Sequence, residues 1–277
     1  EAFSKDEISN EFKSVLSAYI ENLSLCVKSG ECAGADKSLE QISNYQRNTL
    51  GSLAPSEAKI SLEVLYNQME IFKFLIYFYM ILALASLALG FYRLFFGRKF
   101  RFERALSLAF FTAFAVHALN LALRAYISGH APWSDAYESL VYISFISVLA
   151  GVLFFKHQSF ALGAASLFAS VSLLVAHLNF INPQITNLVP VLKSFWLSVH
   201  VSVITASYGF LGFGFVLGLV GLILMALKND KNEQKLSEQI RYLAATDELS
   251  LIIGLSLLTV GNFLGGVWAN ESWGRYW

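Results

Sequence analysis

The sequence LSLIIGLSLLTVGNFLGGV, residues 249–267, contains no charged side chain and continues directly into WANESWGRYW, residues 268–277. A helix needs about 20 consecutive apolar residues to cross a bilayer, and Trp and Tyr collect where a membrane meets water. The two segments together therefore predict a membrane-spanning helix that ends at an aromatic surface.

That aromatic surface has two interpretations. It carries Trp268, Trp273 and Trp277 together with Arg275 and Tyr276. Indole rings beside a cation form a flat, mildly cationic face that suits a large planar ligand with carboxylates, such as a porphyrin. An aromatic belt at a membrane surface has the same residue types without any ligand. The residue types alone leave both interpretations open.

The composition of the whole chain indicates a membrane protein. Hydrophobic residues make up 56% of the sequence and charged residues 14%, whereas soluble domains carry about 25% charged residues. The formal net charge of zero gives no reason to expect nucleic acid as a partner. Apolar runs long enough to span a bilayer predict an all-α, polytopic transmembrane helical bundle with six spans, at about 71–95, 105–127, 138–155, 159–181, 196–227 and 249–267.

The distribution of basic residues predicts the orientation of these spans. Ten lysines and arginines lie in the segments that follow the first, third and fifth spans: Arg93, Arg98, Lys99, Arg101, Arg104, Lys156, Lys228, Lys231, Lys235 and Arg241. The opposite side contributes only Arg124, Lys193 and Arg275. Basic segments stay in the cytoplasm by the positive-inside rule. We therefore expect residues 1–70 and the tryptophan-rich end, read as a loop, to face the periplasm from a bacterial inner membrane.

Residues 1–70 are expected to form a small helical domain in water. Apolar residues from Phe12 recur at the spacing of an amphipathic helix that ends near Gly30, and a second helix is expected over about 35–50. Cys26 and Cys32 are separated by five residues, and no histidine lies within 1–70. This spacing favours a disulfide in an oxidising compartment over a metal site.

Three stretches resemble motifs of the CcsA/ResC-type heme-handling proteins of cytochrome c assembly, and most of all a segment of the fused System II synthase CcsBA. WANESWGRYW resembles the first part of the tryptophan-rich WWD signature. GHAPWSDAYESL, residues 129–140, is similar to the family's G-H-x-P-x-S-N-x-Y-E-S-L, with Asp135 in place of Asn, and FWLSVHVS, residues 195–202, matches a third motif. The family's signature continues with Trp-Asp-Pro. We therefore expect 71–277 to be a transmembrane heme-handling domain that is truncated within the WWD motif, and the chain to be a piece of a longer polypeptide.

The resemblance implies holocytochrome c synthase activity that requires the portions outside this chain. Heme b would be exported and presented at the outer membrane face, where two thiols of an apocytochrome c CxxCH segment add to its vinyl groups. The substrate supplies the nucleophiles, so no catalytic residue of the chain's own is expected. The implied partners are the apocytochrome, a CcsB portion, fused or separate, and membrane lipid, without nucleic acid.

The resemblance also assigns site residues. It makes His200, in FWLSVHVS, the axial ligand of the external heme. The implied heme pocket comprises Trp268, Asn270, Glu271, Trp273, Gly274, Arg275, Tyr276 and Trp277, and the further pocket candidates are His130, Trp133, His177 and Trp196. Glu271 lies four residues before Arg275 and could hold that arginine for a heme propionate.

Several alternatives remain at this point. From spacing alone, His177 and His200 would be the natural two-helix ligand pair of a heme b electron-transfer subunit, and a heme transporter without ligation activity is the third candidate. His117 is either functional or a hydrogen-bonded core histidine, and His157 is expected to be solvated. Ser134, Asp135 and Glu138 favour helix capping over chemistry.

Overall fold

The computed structural model describes residues 10–51, 55–97, 102–154, 159–178, 181–186, 194–230 and 232–274, and all of its regular structure there is helical. The helices in chain order are α1 (Asn10–Ser29), α2 (Ala33–Leu50), α3 (Glu57–Met69), α4 (Ile71–Phe96), α5 (Phe102–Ser128), α6 (Ala136–Leu153), α7 (Ser159–Ala176), α8 (Phe195–Ala226) and α9 (Glu233–Trp273). The all-α prediction is confirmed. The chain forms two compact units, one up to Glu63 and one from Val64 onward.

In the first unit, α1 and α2 form a helical hairpin. The first helix ends at Ser29 because Gly30 takes a left-handed conformation (φ 77°) that glycine adopts without steric cost. Cys26 and Cys32 are joined by a disulfide across this turn, with their Cα atoms 4.6 Å apart. Further along the hairpin, the Asn22 amide donates a 2.7 Å hydrogen bond to Ser38 Oγ. The disulfide links the two helices at the turn, and this hydrogen bond links them further from it.

The second unit contains the membrane helices. Six helical segments of the described chain are long and apolar enough to cross a membrane, the first of them running from α3 into α4, so the predicted number of spans is confirmed. Glu70, with φ 43°, separates α3 from α4, and Gly97, with φ 69°, ends α4.

Glycines allow α8 to pack closely against its neighbours. A Cβ added to Gly209 would meet the Ile146 side chain of α6 at 2.6 Å, and one added to Gly254 would meet Leu211 at 2.8 Å. In contrast, nothing lies within 4 Å of such an atom at Gly221. Small residues at helix interfaces let backbones approach in this way. Close contacts therefore hold α8 against α6 at Gly209 and against α9 at Leu211, whereas α8 is packed less closely at Gly221.

The boundaries of two helices correct the sequence prediction. The last helix has 41 residues, so it begins well before residue 249 and continues through Trp273. The interpretation of the tryptophan-rich end as a loop is wrong for 268–273. This segment contains no glycine or proline, and the helix continues until Gly274, with φ 72°, ends it. At 1.5 Å per residue this helix is about 60 Å long, twice the hydrocarbon core of about 30 Å. The fourth span ends earlier than predicted, at Ala176.

Candidate functional site

His200 lies in the second turn of α8 and packs against α9. Its Nδ1 atom is 2.7 Å from the carbonyl oxygen of Gly261. A Cβ atom at Gly265 would lie 2.7 Å from His200 Cε1, so only glycine leaves room for the imidazole there. A carbonyl oxygen can only accept a hydrogen bond, so Nδ1 is the donor and Nε2 is the nitrogen left to bind a metal, an arrangement typical of metal-binding histidines.

Trp268 follows Gly265 by one turn of α9. Its ring centroid is 5.3 Å from that of Trp273, with the planes inclined by 58°. The Trp268 Nε1 atom is buried and has no hydrogen-bond partner among the described residues. Buried indole N–H groups usually find an acceptor. An indole N–H without an acceptor among the described residues therefore belongs to a residue one helical turn beyond Gly265, the residue that contacts His200.

Residues 270–274 of the aromatic end are exposed. Trp273 is 69% exposed, and Asn270, Glu271 and Gly274 are also exposed. Residues 275–277, and with them the predicted Glu271–Arg275 pair and the tryptophan at 277, lie outside the described residues. The described part of the end thus combines one half-buried indole with one exposed indole.

A second feature of this end of the bundle is a cavity of about 890 Å³ between the α5–α6 connection and the start of α8. Its lining includes His130, Trp133 and Ser198. Trp133 Nε1 donates a 3.0 Å hydrogen bond to the Ser198 carbonyl, and His130 Nε2 is 3.3 Å from the Thr186 carbonyl. His130 and Trp133 are brought together here. His200 and Trp196 do not line this cavity, and Trp196 is half-buried with its ring 5.6 Å from that of Phe195.

His177 is held by different neighbours. Its Nδ1 is 2.8 Å from the Leu173 carbonyl, and its Nε2 is 3.3 Å from the Tyr137 hydroxyl of α6. Burial lowers the pKa of His177. Both ring nitrogens are engaged and none of these contacts involves α8 or α9. In these contacts the two imidazoles have different partners: His177 contacts α6 and its own helix, and His200 contacts α9.

His117 lies in the interior of the bundle. It is fully buried, its Nδ1 is 3.3 Å from the Tyr79 hydroxyl, and the rings of Phe72 and Phe145 lie edge-on to it. These contacts favour the interpretation of His117 as a core histidine. His157 lies outside the described residues.

Arg124, near the C-terminal end of α5, is a fully buried charged residue of the second unit. Arg124 and Glu138 are both 0% exposed, and Arg124 Nε donates a 2.9 Å hydrogen bond to Glu138 Oε1. Its Nη1 donates to the Pro183 carbonyl at 2.9 Å, and its guanidinium lies 4.8 Å from the centroid of the Tyr137 ring. The sequence groups Arg124 with the few basic residues of the side opposite the basic segments, and the structure makes its side chain the centre of a buried polar network.

The capping prediction for α6 needs one correction. Asp135 is the N-cap residue, and its Oδ1 accepts a 2.7 Å hydrogen bond from the Glu138 N–H. Glu138 Oε2 reaches back to accept from the Ser134 N–H at 2.9 Å. The Ser134 hydroxyl does not cap and donates to the Ala131 carbonyl. Glu138 therefore both caps the helix and pairs with Arg124.

The comparison with protein families covers the part of the chain that contains His200 and Trp268. Residues 133–277 match the family model described as cytochrome C assembly protein. The chain belongs to this family. It is 51% identical to Protein NrfI of Wolinella succinogenes over 87% of the chain. It is 38% identical to the cytochrome c biogenesis protein CcsA of Chlamydomonas reinhardtii over 57% of the chain, and 30% identical to that of Chlorella vulgaris over 66%.

These relatives are longer than the chain. It spans 27% of NrfI, 47% of the Chlamydomonas protein and 69% of the Chlorella protein. The predicted CcsA-type membership is confirmed, and the family indicates a multi-pass membrane protein with a role in cytochrome c biogenesis.

Within this cytochrome c assembly protein, the family match includes His200, Trp268, Trp133 and Glu138 and leaves out Arg124. Sequence reasoning missed Arg124 as a site-shaping residue. A signal was present: one arginine near the end of an otherwise apolar span, followed 11 and 14 residues later by the acidic pair Asp135 and Glu138. A charge within a membrane helix is costly unless it is paired.

Proposed function

We propose that the chain holds heme b at the outer membrane face and presents it for thioether attachment to the CxxCH segment of an apocytochrome c. The observation that carries the proposal is the geometry of His200. The hydrogen bond from Nδ1 to Gly261 directs the lone pair of Nε2 away from the carbonyl, where it can bind iron as an axial ligand.

The neighbouring residues fit a porphyrin as substrate. The buried Nε1–H of Trp268 lacks an acceptor, and a carboxylate or other polar group of a bound heme would supply one. The exposed Trp273 offers an aromatic face for stacking. Asn270, Glu271 and Gly274 complete the described part of the proposed pocket, and Arg275, Tyr276 and Trp277 remain proposed members from the family resemblance.

The proposed reaction needs positioning from this chain and no nucleophile. Each substrate thiol adds across one vinyl C=C bond, so sulfur bonds to one vinyl carbon and hydrogen is added to the other, with no net oxidation. His200 would fix the iron and hence the plane in which both vinyl groups lie. Holding reactants in place supplies rate by proximity and orientation. The peptide's own histidine would finally replace one protein ligand and release the product.

The synthase activity is proposed for the whole polypeptide, with a CcsB portion as partner in a bacterial inner membrane. The outer cavity that contains His130 and Trp133 is a secondary pocket candidate, since about 890 Å³ falls within the range of small-molecule sites, roughly 300–1,000 Å³. In the described part of the chain, His177 hydrogen-bonds with Leu173 and Tyr137, and the Trp196 ring packs against that of Phe195, so they are weaker candidates.

Co-expression with an apocytochrome c tests the proposal. The full-length polypeptide is expressed with the apocytochrome in a host that lacks its own maturation system, and heme is stained after denaturing electrophoresis. We expect stain at the mass of the cytochrome, and none when both CxxCH cysteines are replaced by alanine. Heme that stays only on the membrane protein would indicate an electron-transfer subunit. Exported heme without thioethers would indicate a transporter, and either result contradicts the proposal.

A substitution at Gly265 tests the placement of His200 without touching the histidine. The Cβ of Gly265→Ala would lie 2.7 Å from His200 Cε1 and 2.9 Å from Nδ1, so the imidazole must move away from the Gly261 carbonyl. Loss of such an orienting contact typically costs 10–100-fold in metal affinity. We expect heme affinity to fall by about that factor, measured by Soret absorbance during heme titration of the purified protein.

The matched control is Gly221→Ala. It is also a glycine-to-alanine change in a membrane helix, but nothing lies within 4 Å of the new methyl group. Heme affinity should then equal that of the wild type, with a slight gain in helix stability. Equal heme affinity in all three proteins would show that the His200–Gly265 contact has no part in heme binding.

A further inference from the structure

A basic cavity lies at the opposite end of the membrane unit from His200. It has a volume of about 680 Å³ and is formed by the end of α4, the start of α7 and the first turns of α9. Arg93, Lys235 and Arg241 line it, together with Glu238. Three cations and one carboxylate give the lining an excess of positive charge.

The cations of this cavity are available to a ligand. Lys235 and Arg241 are exposed, and neither has an ion-pair partner among the described residues. Arg93 is 40% exposed and its Nη1 is 3.6 Å from Glu103 Oε2, a long and incomplete pair. Uncompensated cations around a concave surface attract anions, and a phosphate group accepts hydrogen bonds from several at once.

The floor of the cavity is apolar. The Phe160 ring packs directly on Gly90, where an added Cβ would be 2.9 Å from it, and Leu94 and Ala245 also line the space. All of these residues belong to helices long and apolar enough to cross a bilayer: α4 ends near this cavity, whereas α7 and α9 begin near it. A free phosphate would gain nothing from such a floor, whereas the first segments of acyl chains would be buried on it.

We infer that this cavity binds the headgroup of an anionic phospholipid, with its phosphodiester among Arg93, Lys235 and Arg241. Basic pockets between membrane helices on the cytoplasmic side are the usual form of such sites, and the distribution of basic residues predicts that this end is cytoplasmic. The first turns of α9 extend beyond the predicted apolar run and place two of the three cations. Lipid bound there would tie α4, α7 and α9 together at the end remote from the heme site.

The test measures binding of a short-chain lipid to the full chain in an uncharged detergent. Dioctanoyl phosphatidylglycerol is titrated by calorimetry, with dioctanoyl phosphatidylcholine and glycerol 3-phosphate as parallel arms. We expect saturable binding of phosphatidylglycerol alone. Equal binding of phosphatidylcholine would show that charge is not recognised, and equal binding of glycerol 3-phosphate would show a soluble phosphate site. Either result would overturn the inference.

Variants locate the site. The double substitution Lys235→Gln/Arg241→Gln should weaken phosphatidylglycerol binding about 25-fold, since each basic residue near an anionic headgroup contributes roughly fivefold. Glu238→Gln should strengthen it. The control Lys28→Gln/Lys37→Gln makes the same change in net charge at exposed lysines of the first unit, and should leave binding unchanged. If both double variants bind alike, the cavity is not the site.

Discussion

Replacing His200 with alanine is expected to remove the external heme and to stop cytochrome c maturation. The substitution deletes the only group at this position that can bind iron and leaves the Gly261 carbonyl without its 2.7 Å donor. Removal of an orienting contact alone costs 10–100-fold in metal affinity, so loss of the ligand itself should cost roughly 100-fold or more. The measurements are the Soret absorbance of the purified protein and covalent heme on co-expressed cytochrome c.

Two comparisons separate ligand loss from damage to the fold. Added imidazole should restore both the Soret band and maturation to His200→Ala, because the deleted ring leaves a space of its own shape above Gly265. His177→Ala should keep the external heme, since both nitrogens of His177 are engaged elsewhere in the bundle. An unchanged Soret band in His200→Ala would refute the ligand assignment. Equal heme loss in both variants would favour the heme b pair.

The fold could be predicted from the sequence where bilayer physics dictates it. Runs of about 20 apolar residues have few alternatives to a membrane helix, and all six predicted spans are present. The extent of α9 could not be predicted in this way. Residues 233–248 are charged and polar on one side, so hydropathy places the start of the span at 249. The helix nevertheless begins at Glu233, because Leu236 and Leu243 are buried against the bundle.

The candidate site could likewise be predicted from the sequence only in part. Motif resemblance singled out His200 and Trp268, because these residue types and their spacing are specific. The Gly261 carbonyl and the Gly265 surface that fix the imidazole could not be predicted, since they depend on the register of α8 against α9. The burial of Arg124 could not be predicted for a related reason: the positive-inside rule counts charges by position along the chain, while the burial of Arg124 depends on where Glu138 and Pro183 lie in space.

The Arg124–Glu138 pair connects α5 and α6 to the loop beside the cavity that His130 and Trp133 line. Arg124 binds carboxylate and carbonyl groups from α6 and from the segment around Pro183. Glu138 in turn accepts the Ser134 N–H in the loop that carries His130 and Trp133. The pair therefore fixes the loop whose side chains line the cavity, although neither charged residue lines it.

Breaking this pair is expected to have the largest effect on stability of any single substitution in the membrane unit. Arg124→Met leaves the Glu138 carboxylate buried without its cation, and removing one member of a buried pair costs about 3–5 kcal/mol. The free energy of unfolding in mild detergent, followed by circular dichroism against denaturant, should fall by that amount. The matched control is Lys73→Gln, which breaks an exposed ion pair with Glu70 in the same unit and should cost less than about 1 kcal/mol.

The double variant Arg124→Met/Glu138→Leu distinguishes pairing from packing. It removes both charges, so no uncompensated carboxylate remains, and apolar replacement of a whole buried pair is often close to neutral. We expect it to be more stable than Arg124→Met alone, with a residual loss of about 1 kcal/mol from the Glu138 side chain that accepts the Ser134 N–H. If the double variant were instead less stable than the wild type by the sum of the losses of Arg124→Met and Glu138→Leu, the two charges would act independently. The network would then not link α5 to the loop that carries His130 and Trp133.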